Sequence, residues 1–303
     1  MKTVPTQPLV SIVSVNYDQP GVTCEMLESL RQVTYPNVEI LVVDNGSPTQ
    51  DPKVIKERYP EIELIISKEN LGFAGGNNLA LKQAKGEYVL LLNNDTEVAP
   101  DFLDSLVSLM ESDEKIGIAS SKIRYFHEDN VIQYAGIPAL NPITSRGGSD
   151  GDKEVDHGQH DKVKETHYAH GACMMIRASV LKELGLLYEG YFLYYEEYDF
   201  AERVRQAGYS IYYQPNSTIW HKESISTGKN SPLKTYYLNR NRVLFLRRNS
   251  SGAMFLLAML YFHIVSLPKN TLKYLFSKAH LSALYKGVVW NISNRNININ
   301  PQL

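Results

Sequence analysis

Short apolar runs rich in Val, Ile and Leu recur along the first 120 residues and alternate with segments of helical period. The runs at 9–16 (LVSIVSVN), 38–43 (VEILVV), 62–66 (IELII), 87–92 (EYVLLL) and 116–121 predict buried strands. Residues 22–33, 53–59, 74–85 and the segment opened by Pro100 predict the helices between them. Val22, Met26, Leu27 and Leu30 mark the apolar face of the first, and Phe102, Leu103, Leu106, Leu109 and Met110 that of the last. Alternation of this kind predicts an α/β domain with a mostly parallel sheet flanked by helices. Sheets of that class bind ligands at the carboxyl ends of their strands. Three polar sequences occupy such ends: Val15-Asn16-Tyr17-Asp18, Asp44-Asn45-Gly46-Ser47 and Asn93-Asn94-Asp95-Thr96. They are expected to converge on one crevice.

The pattern fades from about 126 to 168, where Gly147-Gly148-Ser149-Asp150-Gly151-Asp152 predicts a polar surface loop or lid. It resumes at 169–177 and continues into a helix ending near 184. A second helix is expected at about 199–207, closed by Gly208, followed by strands at 209–213 and 217–221. After about 232 the chain reads as helical.

Charge sharpens this division. Residues 1–223 carry 20 Lys+Arg and all 33 Asp+Glu, whereas residues 224–303 carry 11 Lys+Arg and no acidic residue. A basic, acid-free segment suggests an anionic partner, and no nucleic-acid motif accompanies it. From Asn249 to Pro268 there is no charged residue, and the centre Ala253–Leu267 is strongly apolar but short. It reads as an interfacial helix, a core or oligomer helix, or a membrane span. The start MKTVPTQPLV lacks the basic and apolar runs of a secretory signal, and Cys24 and Cys173 read as free thiols of a reducing cytoplasm.

Four clusters offer chemistry, each with a plainer reading beside it. Asn93-Asn94-Asp95 puts a carboxylate at a strand tip, suited to Mg²⁺ or Mn²⁺ or simply to a turn and cap. Glu196-Glu197-Tyr198-Asp199 crowds carboxylates among aromatics, which suits a general base or an acidic helix start. His221 ends a strand after Trp220, as a ligand or a structural His. Asn239-Arg240-Asn241-Arg242 offers arginine forks for phosphate, or an exposed basic face. No Gly-x-Gly-x-x-Gly follows the first strand, and no P-loop lysine or Ser-centred nucleophile motif is present.

These features stand in an order that resembles the family 2 inverting glycosyltransferases of GT-A fold, in particular their rhamnosyltransferase-like branch. The similarity runs from about residue 9 to 250. It rests on VSIVSVNYDQ (10–19), ILVVDNGS (40–47), ENLGFAGGNN (69–78), LLLNNDTEV (90–98), GACMMIRASVL (171–181), YFLYYEEYDFAERVRQAGY (191–209), WH (220–221) and NRNR (239–242). The resemblance implies donor-nucleotide contacts at Asn16, Asp44, Asn45, Gly75, Asn77, Asn93 and Asn94, with Asp44 on the base. It implies Asp95 and His221 as ligands of Mg²⁺ or Mn²⁺; the family's first metal-motif Asp is here Asn93. It implies Glu197 as catalytic base, with Glu196 as runner-up and Asp199 starting or orienting the helix. Glu197 stands where the family usually has Asp. Arg240 and Arg242 would help hold the diphosphate.

The expected reaction is single-displacement transfer from a nucleotide-diphosphate sugar, dTDP-L-rhamnose favoured, to a cell-surface glycan or lipid-linked saccharide. A sugar nucleotidyltransferase should carry Lys or Arg in the loop after the first strand, where this chain has Asn16 to Gly21 without either. A processive synthase should show several long spans, and a sugar-nucleotide or polysaccharide-binding protein remains the non-enzymatic alternative. The expected organisation is a catalytic domain over 1–231 and a basic helical segment over 232–303. That segment would dock the enzyme peripherally on the cytoplasmic membrane face or join copies into an oligomer.

Overall fold

The computed structural model describes residues 7–223, 230–294, 297 and 300–302. A ten-stranded mixed sheet forms its centre. The first half alternates as its apolar runs require: β1 (Val10–Asn16), α1 (Pro20–Leu30), β2 (Val38–Asp44), α2 (Lys53–Arg58), β3 (Glu63–Ile66), α3 (Gly72–Leu81) and β4 (Tyr88–Leu92). The order β3-β2-β1-β4 is parallel throughout, with Asn16 in register with Asp44. Central strands β1 and β4 are buried almost end to end, which is why they carry unbroken apolar runs.

The second half mixes directions. It contains β5 (Thr96–Val98), α4 (Phe102–Ser112), β6 (Ile116–Tyr125), β7 (Ile132–Tyr134), β8 (Lys164–Glu165), β9 (Cys173–Arg177), α5 (Ala178–Leu184), α6 (Glu196–Gln206) and β10 (Ser210–His221). Antiparallel β9 lies between β4 and β6, and β10 runs parallel to β6. The strands expected at 209–213 and 217–221 are one strand, β10, with a break of register between Gln214 and Thr218. Pro215 sits in that break, where its missing N–H interrupts no ladder bond. Short β5 carries too few residues for a periodicity signal. Its antiparallel pairing with β10 sets Thr96 opposite His221 and so fixes the neighbouring Asp95 beside that histidine.

The polar region expected to be a loose loop is tethered from within. Lys122 on β6 is buried and its ammonium pairs with Asp156 at 2.9 Å and with Asp161. Burial pushes the Asp156 carboxyl up, but Lys122 and Arg124 outweigh it and hold it well below the usual carboxylate range.

Four helices follow: α7 (Pro232–Asn249), α8 (Gly252–Tyr261), α9 (Leu267–Lys273) and α10 (Lys278–Ser293). The boundary expected at 231/232 falls at the start of α7, yet α7 packs into the core of the sheet domain. Leu244 and Phe245 join the main apolar cluster, and residues Asn239–Leu246 are all buried. The chain end returns as well, since Leu186 N donates to Pro301 O at 2.8 Å. A π turn over Phe262–Ser266 joins α8 to α9 just before Pro268, so Gly252–Lys273 is one continuous helix. The missing proline N–H accounts for that local widening.

Candidate active site

A cleft of about 370 Å³ opens at the carboxyl ends of β1, β2 and β4. Its wall includes Tyr17, Asn45, Asn77, Asn93, Asn94, Asp95, Glu196, Glu197 and His221, so the three polar strand ends do converge. Beneath them runs a buried chain of hydrogen bonds. Asn94 Nδ2 donates to Thr23 Oγ1 (3.0 Å), Thr23 Oγ1 to Asn16 Oδ1 (2.9 Å), and Asn16 Nδ2 to Asp44 Oδ1 (2.7 Å). Ser47 adds its backbone N–H to Asp44 Oδ2 at 3.2 Å. Asn16 and Asp44 therefore lie behind the wall, where they lock three elements together, and Asn45 and Asn77 face the cleft. Asn45 is itself positioned by α3's entry: its amide donates to Gly72 O at 2.9 Å and accepts from Leu71 N at 3.0 Å.

That entry depends on Gly72 more than on Gly75. Gly72 has φ +72°, and a Cβ there would stand 2.2 Å from Phe192 O. Gly75 packs on Leu71 and stays off the wall. The close approach at Gly72 ties the strand-end wall to the loop leading into α6, through Phe73 N donating to Phe192 O at 2.6 Å.

At the floor, His221 Nε2 lies 3.1 Å from Asp95 Oδ1. Its Nδ1 faces Gln133 Oε1 at 2.9 Å, and an Nδ1–H donated there would leave Nε2 as the nitrogen that ligates a cation. One carboxylate oxygen and one imidazole nitrogen suit a divalent cation whose other positions are filled by substrate phosphate and water. Among the described residues no third His, Cys, Asp or Glu completes a protein cage. His170 stacks edge-on to His221 with ring centres 5.9 Å apart, and burial pushes it down to about 3. It is a neutral wall group there, its Nδ1 accepting from Ala172 N at 3.1 Å.

Opposite, Glu196 and Glu197 occupy the first turn of α6, which starts three residues before the position expected from sequence. The chain enters it through strained backbone, with Phe192, Tyr194 and Tyr195 all at positive φ (64°, 70° and 76°). The Asn-Arg-Asn-Arg sequence of α7 holds that entry. Asn241 Nδ2 donates to the carbonyls of Tyr191 (3.0 Å), Leu193 (2.7 Å) and Tyr194 (2.8 Å), and Arg240 donates to those of Gly190 and Tyr191, both at 2.5 Å. Neither Arg240 nor Arg242 lines the cleft, although both were expected at the donor diphosphate. Their place on α7 turns one guanidinium to this loop and buries the other away from the strand ends. Asp199, expected to orient the helix, is buried and paired with Arg248 at 2.8 Å and with Arg203 at 3.4 Å.

Glu196 and Glu197 each keep one buried carboxyl oxygen without a hydrogen-bond partner. Burial pushes Glu197 up to about 7. Burial and then the charge of Glu197 raise Glu196 well above the usual range. A carboxylate near neutrality in a cleft wall suits proton abstraction at physiological pH.

The family model of glycosyl transferase family 2 matches residues 11–185. The chain belongs to that family. This family 2 glycosyltransferase is 30% identical over 80% of its length to the low-salt glycan biosynthesis hexosyltransferase Agl10 of Haloferax volcanii, covering 76% of it. It is 25% identical over 80% of its length to an N-acetylglucosaminyl-diphospho-decaprenol L-rhamnosyltransferase of Mycobacterium tuberculosis, covering 86% of it. A longer Sinorhizobium fredii relative is 28% identical, and the chain spans 27% of that protein. In fold it matches GT-A glycosyltransferases. One is the mannosyltransferase PcManGT of Pyrobaculum calidifontis, solved with GDP-Man and Mn²⁺, at a TM-score of 0.59 and 18% identity over 96% of this chain and 77% of that one.

Several wall residues of the family 2 transferase had no sequence signal. Gln133, His170 and Lys234 reach the cleft from β7, the segment before β9 and α7. None lies in a motif of the strand-end type, and only the sheet's crossover connections bring them in.

Proposed function

We propose that this family 2 glycosyltransferase moves a sugar from a nucleotide-diphosphate donor to an acceptor hydroxyl by single displacement, with inversion. The observation that carries the reading is Glu197, half-buried with one occluded carboxyl oxygen and a pKa near neutral, in one cleft with the Asp95–His221 pair. Asn45 and Asn77 orient the nucleotide end of the donor. Asp95 and His221 would hold Mg²⁺ or Mn²⁺, which when bound offsets charge developing on the leaving diphosphate. Glu197 takes the acceptor proton as the acceptor oxygen attacks the anomeric carbon, and Glu196 keeps its own proton and limits the local charge.

The rhamnosyltransferase relative favours an L-rhamnosyl donor such as dTDP-L-rhamnose, and a lipid-linked saccharide as acceptor. The helical hairpin, meaning the Gly252–Lys273 helix, the turn after it and α10, supports a membrane-proximal acceptor. Leu256, Leu260, Ile264, Leu272 and Phe276 are all exposed, Phe276 by 99%. Lys269, Lys273, Lys278 and Lys286 are exposed on the same helices, with no acidic residue after Glu223. By length and composition Gly252–Lys273 could also cross a membrane, but its rim of lysines favours an interfacial position on the anionic cytoplasmic leaflet.

The test is transfer from radiolabelled nucleotide sugars to a saccharide acceptor, with and without Mn²⁺. Transfer with inverted linkage supports the reading, and donor binding without any turnover overturns it. Flotation with phosphatidylglycerol vesicles tests the hairpin: Leu260→Asp and Phe276→Asp should lose vesicle binding while keeping the donor-induced thermal shift. Intact protein that ignores such vesicles at low salt points instead to a contact between copies.

A further inference from the structure

Arg242 is the most anomalous charge in the chain. Its side chain is 2% exposed, and all three guanidinium nitrogens lack a hydrogen-bond partner among the described residues. Other arginines of the same helix are committed: Arg240 to carbonyls, Arg247 to Asn291, and Arg248 to Asp199. A buried guanidinium with no partner is costly and is kept only where something else offsets it. Nothing acidic is near enough to do so. The charged group that most affects Arg242 is Arg146, a like charge, and together with burial it brings Arg242 down to about 10.

The surroundings locate this cation between two regions already described. On one side its guanidinium lies over Phe262, 4.7 Å from the ring centre, in the π turn of the apolar hairpin. On the other side is Tyr195, the residue before Glu196. The Tyr195 hydroxyl feels Arg242, Arg146 and Glu197 together, and it donates to Ser145 O at 3.0 Å. Arg146 itself is exposed on the loop that this bond ties down. Phe262, the orphan arginine and Tyr195, which precedes the two glutamates, thus lie in one neighbourhood.

We propose that Arg242 and Arg146 form an anion site for a phosphate or diphosphate group carried by the acceptor, placed between the membrane-facing hairpin and the Glu196–Glu197 pair. An amphiphilic acceptor would lay its hydrocarbon along the exposed hairpin, seat its phosphate on the two guanidinium groups and present its sugar hydroxyl to Glu197. Paired guanidinium groups match phosphate geometry and charge. The loop carrying Ser145 and Arg146 has to lift from Tyr195 to admit the group. The site rests on the proposed transfer reaction for its meaning, but its affinity for phosphate can be measured separately.

The probe is farnesyl diphosphate against farnesol, titrated into full-length protein in nonionic detergent. EDTA is present so that Asp95 and His221 hold no cation. Wild type is expected to bind the diphosphate about tenfold more tightly than the alcohol. Arg242→Met should abolish that preference, and Arg146→Ala, at an exposed position, should reduce it severalfold. Arg242→Met should keep or raise the melting temperature, because it removes an unpaired buried charge. A fall of more than ~5 °C would mark the guanidinium as structural and overturn the assignment. Equal affinity for the two probes, or a preference that survives in Arg242→Met, also overturns it. If both variants weaken binding to phosphatidylglycerol vesicles as much as to farnesyl diphosphate, the site reads lipid headgroups and the acceptor assignment fails. Sugar transfer by wild type to an unphosphorylated saccharide separates the outcomes: its presence keeps the transferase reading whatever the phosphate result.

Discussion

The two walls of the cleft are built on opposite principles. On the strand-end wall every buried polar group in the Asn94–Thr23–Asn16–Asp44 chain gives or accepts a hydrogen bond. On the α6 wall, Glu196 and Glu197 each keep one buried oxygen without a partner, and outside the cleft, on α7, the three guanidinium nitrogens of Arg242 also lack partners. A satisfied network costs little and sets shape, which suits the donor surface proposed for this wall. An unsatisfied one costs stability and holds groups whose protonation or ligation is still open. The strain at Phe192, Tyr194 and Tyr195 falls on the same side, and Asn241 and Arg240 hold that backbone in place.

Breaking the unsatisfied wall should have the largest effect on turnover and the opposite effect on stability. Glu197→Gln should lower kcat by about 10²- to 10⁴-fold while leaving donor binding near wild type, measured by steady-state transfer and thermal shift. A variant of normal activity would remove Glu197 as the base. In wild type the transfer rate should rise with pH through about 7 as Glu197 ionises. On the metal side, Asp95→Asn or His221→Ala should weaken Mn²⁺-dependent donor binding by about 10- to 100-fold, checked by titrating Mn²⁺ against the donor-induced shift.

Breaking the satisfied wall should cost stability first. Thr23→Val leaves Asn94 Nδ2 without its acceptor and Asn16 Oδ1 without its donor, at about 1–3 kcal/mol in chemical denaturation. The subtlest difference is the pH dependence of stability. Below pH 4.5 Glu197 holds its proton in both the folded and unfolded chain. Between 4.5 and about 7 the unfolded chain releases the proton while the folded one keeps it, so stability falls as pH rises and then levels. Glu197→Gln removes that penalty, so it should gain roughly 3 kcal/mol at pH 8 and nothing at pH 4. A gain equal at both pH values would mean the carboxyl is not held protonated by burial.

Much of this was legible because it is local. The strands announced themselves through unbroken apolar runs, and the polar tips Asn45, Asn93, Asn94 and Asp95 could be placed on the cleft from strand polarity alone. The arginine-rich motif misled, because arginines bind backbone carbonyls as readily as phosphates. Arg240 found carbonyls on the loop 49–50 residues away. The charge asymmetry misled in part as well. Arg240, Arg247 and Arg248 are spent on partners inside the protein, Arg242 is buried, and the exposed lysines of the last helices carry what reaches the surface.

By itself, then, the sequence determined the alternation of β1 to β4, the end of the sheet where polar residues gather, and the family to which the chain belongs. These follow from period, side-chain polarity and contiguous motifs. Tertiary structure alone decided that three-residue β5 sets Asp95 against His221, that Gln133 stands at the histidine's Nδ1, and that α7 belongs to the core. It alone left Glu197 Oε2 and the Arg242 guanidinium buried without partners among the described residues. Burial, pairing and orphaned charge depend on what distant segments bring to a side chain, and no local pattern records that.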